Sequence, residues 1–545
     1  MTGRKEGFDT LRDMNGMSGF PKRKESPYDA FNTGHSSTSV SAGLGMVRAR
    51  DLLGGKNYVV SVIGDGSMTG GMAFEALNDA SQLKTNFIVI LNDNAMSIGK
   101  NVGGMSRYLT RIRTARGYNR IKLAIKRFLS RLPIIGENMV ERISNAKDSI
   151  KEIVVPSGMY FENMGLTYLG PVDGHNVLQM EKAFKAAKEL DKCVLIHVKT
   201  VKGKGYEPAE KHSDDFHGVE PFDIVTGKPL AEKTGKSYSD VFGDFMADKG
   251  GTEPRLVGIT AAMSGNVGLR KFESLYPDRC FDVGIAEQHA VTMAAGLAAS
   301  GMKPVAAIFS SFLQRAYDQI VHDVCMQDLP VVFAIDRAGI VGRDGETHHG
   351  AFDLSYLGNI PNMTLMAPMN GTELKEMLDL ALSLNAPAAV RYPRGQASEI
   401  FSDRHVPVEY GKAEVIQKGS GIALLSFGDM METAEEARKK LAEQGLNATL
   451  VNMRFVKPID EDCLIELSKT HHTFVTLENG VISGGAGEKC AAFLEDAAPE
   501  VRMIHIGIPD RFVPHGDTKD LMALLGMDAD SIVKRIDALK NEGTT

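Results

Sequence analysis

The sequence predicts an α/β protein built as three consecutive parallel-sheet domains. Short apolar runs alternate with helix-patterned segments along most of the chain, as parallel sheets with crossover helices require. Two polar stretches interrupt that alternation and divide it into three blocks. The length, 545 residues, matches roughly three or four domains at about 150 residues each.

In the first block, Tyr58–Ile63, Phe87–Leu91 and Val194–Val198 read as buried strands, being apolar or nearly so throughout rather than alternating. Met72–Leu83 and Val177–Leu190 read as helices. The polar stretch Glu207–Lys236, with its Gly, Pro and charged residues, reads as a linker, so the first domain is placed at 1–230. The second, 237–400, carries expected strands at Leu256–Ile259, Cys280–Ile285, Val305–Ile308, Val331–Ile335 and Ala388–Arg391. A second linker surrounds Phe401–Pro407. The third domain, 408–545, repeats the pattern with Ile422–Phe427, Ala448–Val451, Thr473–Leu477 and Val501–Ile506. No short tandem repeat is present.

Composition narrows the function classes. Lys and Arg number 62 against 69 Asp and Glu, a formal charge of −7, which argues against a dedicated nucleic-acid binder. No apolar run reaches the roughly 18 residues of a membrane span; Val291–Phe309 comes nearest but holds Thr292, Ser300, Lys303 and Pro304. No signal peptide is visible, and the five cysteines are odd in number, scattered and without a CxxC pair. A reduced, cytoplasmic chain without zinc is the expectation. The run Asn101–Gly136 has no acidic residue and nine Lys or Arg beside an apolar stripe. It reads as a solvated amphipathic helix rather than a contact for RNA or membrane.

The strongest local signal is Gly64-Asp65-Gly66-Ser67 after one expected strand, and Asn94 after the next, 29 residues beyond Asp65. That spacing suits one β-α-β crossover, which brings both side chains to the carboxyl edge of a parallel sheet, where such sheets bind ligands. Asp and Asn oxygens are hard ligands suited to Mg²⁺ shared with a phosphate group.

Gly64-Asp65-Gly66 followed by Asn94 resembles the thiamine diphosphate (ThDP) fingerprint. Gly34-His35-Ser36-Ser37-Thr38-Ser39, Asp282–His289, Asp336-Arg337-Ala338-Gly339, Asp344-Gly345-Glu346-Thr347-His348 and Arg391-Tyr392-Pro393-Arg394-Gly395 resemble 1-deoxy-D-xylulose-5-phosphate synthases, which are transketolase-like. The resemblance runs through all three blocks. It implies three α/β domains of transketolase type: diphosphate- and Mg²⁺-binding, pyrimidine-binding, and a mainly structural C-terminal one. It implies Asp65 and Asn94 as magnesium ligands, with the Met96 carbonyl as a third. Gly34, His35, Ser36, Gly66, Ser67, Asn94, Tyr206, Glu287 and Phe312 would contact the cofactor. Glu287 would face the aminopyrimidine ring nitrogen, and Phe312 would stack on the ring. Arg315, Arg337 and Arg394 would hold the acceptor, and His217, Asp344 and His348 would move protons. Phe309 stands where members often carry Tyr. In Gly484-Gly485-Ala486-Gly487 the pattern for nucleotide binding is incomplete, and tight packing is the better account.

The implied activity condenses pyruvate with glyceraldehyde 3-phosphate to 1-deoxy-D-xylulose 5-phosphate and CO₂, in a homodimer, feeding isoprenoid, thiamine and pyridoxal synthesis. The site is expected between the first two blocks. Members normally carry several dozen further N-terminal residues, including histidines, and His35 is the first histidine here. The expectation is therefore either a fragment of an active enzyme or an inactive truncated subunit. A transketolase moving ketol units is the neighbouring alternative.

Overall fold

The computed structural model describes residues 2–96, 101–114, 159–219, 221–230, 235–404 and 406–542. Most of the basic run at 101–136 therefore lies outside the described residues; its described start forms the helix Gly103–Thr114. The chain gathers into two compact units. The smaller comprises Ser36–Glu232 and Gly284–Ala286; the larger comprises Met1–His35, Lys233–Val283 and Glu287–Thr545.

The smaller unit holds a four-stranded parallel sheet of β1 (Val60–Gly64), β2 (Phe87–Asp93), β3 (Thr167–Asp173) and β4 (Cys193–Lys199), in the order β1-β2-β4-β3. Strands β2 and β4 are central and buried on both faces, which is why their sequences are almost unbroken runs of apolar residues. One face packs Phe87, Val89, Leu91 and Leu195 with Val40, Val47 and Leu77 of the helices Ser39–Leu52 and Gly71–Ala80. The other packs Ile88, Val194 and Ile196 with the helix Val177–Lys188, whose N-cap Asn176 accepts the Gln179 N–H.

The larger unit holds two sheets. Seven strands, β5 (Leu256–Thr260), β6 (Cys280–Asp282), β7 (Lys303–Phe309), β8 (Val332–Asp336), β9 (Thr364–Met366), β10 (Ala388–Arg391) and β14 (Phe455–Lys457), lie in the order β14-β9-β10-β8-β7-β5-β6. Five strands, β11 (Glu414–Gln417), β12 (Gly421–Ser426), β13 (Thr449–Asn452), β15 (His471–Val481) and β16 (Arg502–Ile508), lie in the order β11-β13-β12-β15-β16. Pairing is parallel except β14 on β9 and β11 on β13. Strand β14 comes from the third block yet completes the second block's sheet. Buried ion pairs strengthen that join: Arg454 is 3% exposed and reaches Glu373 at 2.6 Å and Glu414 at 2.8 Å.

The glycines at 484–487 serve packing. A Cβ at Gly487 would lie 2.3 Å from Thr476 Oγ1. The N–H groups of Ala486 and Gly487 donate to the buried Glu478 carboxylate at 2.7 and 2.9 Å. The helix start is thus filled by the protein's own acid.

Candidate active site

Each unit gathers part of the expected site. In the smaller unit, β1 and β2 pair in parallel with Gly64 opposite Asn92, and the Asp65 N–H donates to the Asn92 carbonyl at 3.1 Å. Asp65 and Asn94 therefore stand at neighbouring strand tips. Asp65 is 5% exposed. Its Oδ2 accepts the Ala95 N–H and the Asn101 amide, both at 2.8 Å, whereas its Oδ1 is buried without a hydrogen-bond partner. Burial first, and then the Asp93 carboxyl beside it, push the Asp65 pKa up to about 7. Asn94 Oδ1 accepts the Met96 N–H at 3.0 Å.

Among the described residues no group of three or more His, Cys, Asp or Glu is placed to hold a metal. What the tips offer is the oxygen-rich alternative: an orphaned carboxylate oxygen, a second carboxylate and an amide oxygen. That set fits a hard dication. Gly66 and Ser67 follow in the short 3₁₀ turn Gly66–Thr69. The Ser67 carbonyl accepts the Ser37 hydroxyl at 2.7 Å, and this ties the turn to the segment that carries Ser36.

Also in the smaller unit, Tyr206 gives its hydroxyl to the Ile224 carbonyl at 2.9 Å and packs edge-on against Phe216. His217 is exposed, with its Nδ1 3.2 Å from Lys202 Nζ. It thus belongs to a different unit from Asp344 and His348, its expected partners in proton transfer.

In the larger unit, Glu287 opens the helix Glu287–Ala299 and is 4% exposed. Burial raises its pKa, opposed by its own backbone N–H and by Arg315, whose Nη1 lies 3.8 Å from Oε2. In the same unit, rings from four segments of the chain gather at Phe20, His35, Phe312 and His348. His35 meets Phe312 edge-on at 5.0 Å and donates from Nε2 to the Ser311 carbonyl at 3.3 Å. His348 stacks on Phe20 at 4.7 Å and lies 5.5 Å from Phe312. Gly34 is small of necessity, since a Cβ there would lie 2.2 Å from Thr347 Oγ1. Burial holds His348 down at about 4, outweighing the pull of Asp344. The adjacent His349 is committed to structure: its Nδ1 accepts the Val341 N–H, and its Nε2 donates to the Pro514 carbonyl.

Asp344 is paired with Arg12 and with Arg394, the latter at 3.1 Å. Burial alone would raise its pKa, but Arg394 and Arg12 hold it below the usual range. Arg337 has φ +58° and sets its guanidinium 3.9 Å over the Phe309 ring, where no hydroxyl competes. Burial, then the nearby Arg394, lower the Arg337 pKa to about 10, so Arg337 stays a cation at neutral pH. Two like charges kept together in a partly buried setting favour an anion, and the planar fork suits phosphate.

Sequence reasoning missed Arg12 and Phe20, which the N-terminal segment brings onto the Asp344–His348 loop. It also missed Asp93, Asn101 and His197. A histidine inside the otherwise apolar strand β4 was the one visible signal among them.

The larger unit's first 35 residues and the smaller unit through residue 200 fall within the matched family model "1-deoxy-D-xylulose-5-phosphate synthase", residues 1–200. "Transketolase, pyrimidine binding domain" matches residues 234–399, and "Transketolase, C-terminal domain" matches 411–532. A solved structure described as a split-gene transketolase, an inactive β4 tetramer, is 28% identical with a TM-score of 0.51, over 56% of this chain and 98% of that one. With the three mainly parallel sheets, these matches define a transketolase-like fold. The 1-deoxy-D-xylulose-5-phosphate synthase of Lachnoclostridium phytofermentans is 52% identical over 537 residues, 98% of this chain and 86% of the relative. That of Clostridium tetani is 49% identical over 536 residues, again 98% and 86%. The chain belongs to the 1-deoxy-D-xylulose-5-phosphate synthase family.

Proposed function

We propose that this chain is a transferase that condenses pyruvate with D-glyceraldehyde 3-phosphate, giving 1-deoxy-D-xylulose 5-phosphate and CO₂, with ThDP and Mg²⁺ as cofactors. Family membership supports the reaction. The observation that carries the cofactor reading is the orphaned, buried Asp65 oxygen beside Asp93 and Asn94 at paired strand tips. When bound, ThDP supplies the carbanion chemistry that lets pyruvate lose CO₂.

The chain's residues bind, orient and move protons around that chemistry. Asp65, Asn94 and the Met96 carbonyl hold Mg²⁺. Gly34, His35, Ser36, Gly66, Ser67 and Tyr206 contact the cofactor, and Phe312 offers a ring face to its pyrimidine. Glu287 keeps a proton more readily than an ordinary carboxyl, because it is buried. It can therefore share one with a ring nitrogen of the aminopyrimidine. Arg337 and Arg394 bind the acceptor phosphate, with Arg315 beside Glu287 holding the substrate. In the reaction the C1–C2 bond of pyruvate breaks, C2 joins the aldehyde carbon, and one proton is taken up at the new hydroxyl. His348, set among rings, is a candidate proton-transfer group, with Asp344 and His217 as further ones.

A homodimer is proposed from family membership. A cytoplasmic setting, with the product feeding isoprenoid, thiamine and pyridoxal synthesis, agrees with five unpaired cysteines and with no helix among the described residues long and apolar enough to cross a membrane. Calorimetric titration of ThDP with Mg²⁺, paired with CO₂ release from pyruvate in the presence of glyceraldehyde 3-phosphate, tests the proposal. Saturable Mg²⁺-dependent binding and acceptor-dependent CO₂ release are expected. Binding without turnover would mark an inactive subunit, and turnover only of ketose phosphates would mark a transketolase.

A further inference from the structure

We propose that His197 is a positioning residue for the cation site, acting through Asp93; this rests on the Mg²⁺ reading above. Strand β4 is buried along almost its whole length, and its one aromatic polar residue, His197, is 0% exposed. Such a residue needs partners for both ring nitrogens. Nε2 donates to Asp93 Oδ2 at 2.9 Å, and Nδ1 is hydrogen-bonded to the Tyr168 hydroxyl at 2.8 Å. The register explains the first contact. His197 lies opposite Leu91, so Asp93, two residues on, shares its sheet face and comes within reach diagonally.

Asp93 then reaches the ligand turn. Its Oδ1 accepts the Ala95 N–H at 3.2 Å, and the same N–H donates to Asp65 Oδ2 at 2.8 Å. Ala95 holds φ +63°, a conformation that a residue with a Cβ keeps only when its surroundings fix it. One shared donor thus links the second carboxylate to the first at the bend that presents Asn94 and Met96. His197 decides which edge of Asp93 faces that bend. Oδ2 meets the imidazole while Oδ1 meets the Ala95 N–H beside the ligands. Without the imidazole, Asp93 is free to rotate, to take the Ala95 N–H from Asp65, or to compete for the cation itself. A purely structural reading leaves unexplained why the fold keeps two buried carboxyls side by side where apolar residues would pack more stably.

The test measures Mg²⁺ affinity by calorimetry in saturating ThDP, with metal-free thermal unfolding alongside. His197→Leu is expected to weaken Mg²⁺ binding by about 10- to 100-fold, the usual cost of losing an outer-shell partner. His197→Gln, which can still donate to Asp93, should stay within about threefold of the parent. Tyr168→Phe, which removes the hydroxyl at Nδ1 of the ring, should weaken binding by about three- to tenfold, and it carries the test with His197→Gln if His197→Leu does not fold. A folded His197→Leu that binds Mg²⁺ like the parent would overturn the proposal. So would His197→Gln as weak as His197→Leu, or Tyr168→Phe at parental affinity. If the parent itself binds no Mg²⁺, the cation reading fails and this inference with it; if the parent binds and the variants match it, only the role of His197 fails.

Discussion

Asp65→Asn should make the metal-free protein more stable while abolishing its cofactor binding. Asp65 Oδ1 is buried and unpartnered, and its carboxyl lies against that of Asp93. The amide keeps an oxygen for the two donors now held by Oδ2, Ala95 N–H and the Asn101 amide. It also turns an NH₂ group toward Asp93, so a repulsion becomes a hydrogen bond. Leaving a charged acceptor buried and unsatisfied costs about 1–3 kcal/mol or more. In a unit of this size each kcal/mol moves the unfolding temperature by roughly 2–4 °C. The variant should therefore unfold roughly 2–12 °C above the parent in a chelator. Adding Mg²⁺ and ThDP at about 1,000 times the dissociation constant stabilises the parent by about 4.1 kcal/mol and the variant not at all. Scanning calorimetry with and without the cofactors should then show the order of the two proteins reversed. A variant less stable than the parent in chelator would mean that Asp65 is a structural acid. Cofactor-dependent stabilisation of the variant would mean that the cation sits elsewhere.

Three further outcomes test other parts of the site. Glu287→Gln should lower the rate of CO₂ release by at least about 100-fold while ThDP still binds, as rate assays and calorimetry on one preparation will show. Arg394→Met should raise the KM for the phosphorylated aldehyde by about tenfold or more and leave an unphosphorylated aldehyde little changed; equal losses on both would exclude phosphate recognition. Hydrogen bonds from Lys236, then Lys271, hold Asp244 down at about 2. Its folded pKa lies below its unfolded value of about 3.9. The stability it contributes is therefore complete above that value and lost as pH falls toward 2, so urea midpoints of Asp244→Asn should vary less than the parent's across that interval.

The strands that position the site were legible because burial wrote them as apolar runs. β2 was expected at Phe87–Leu91 and forms Phe87–Asp93; β10 was expected at Ala388–Arg391 and forms there. Elements lacking that signature escaped. β3 is an edge strand, half exposed and broken by Gly170-Pro171. β14 is three residues long, and a sheet belonging mostly to another block pairs with it. The strand-tip pair Asp65 and Asn94 was legible because adjacent parallel strands convert a 29-residue spacing into proximity. Arg12 was not, because its partner Asp344 is 332 residues away and no local period records such a contact. His197 carried a weak signal in its apolar run, but its meaning depends on Tyr168 and Asp93, which only the folded register brings to it.

The charged clusters of the two units, each taken by itself, share one physical device, a surplus of like charge held in place by the fold. In the smaller unit Asp65 and Asp93 concentrate carboxyl oxygens at strand tips, and backbone N–H groups, Asn101 and His197 hold them there. In the larger unit Arg337 and Arg394 concentrate positive charge, only part of which Asp344 and Asp336 offset. Neither arrangement is what stability alone would select, because each leaves repulsion that an apolar substitution would remove. Each is what binding requires, because a preformed excess of charge lets a dication or a phosphate bind without first displacing an internal partner. Arg12 marks the limit of the device: by sharing Asp344 with Arg394, it keeps that carboxylate from neutralising Arg394 completely. Removing Arg12 should therefore weaken phosphate binding even though Arg12 itself need not touch the phosphate.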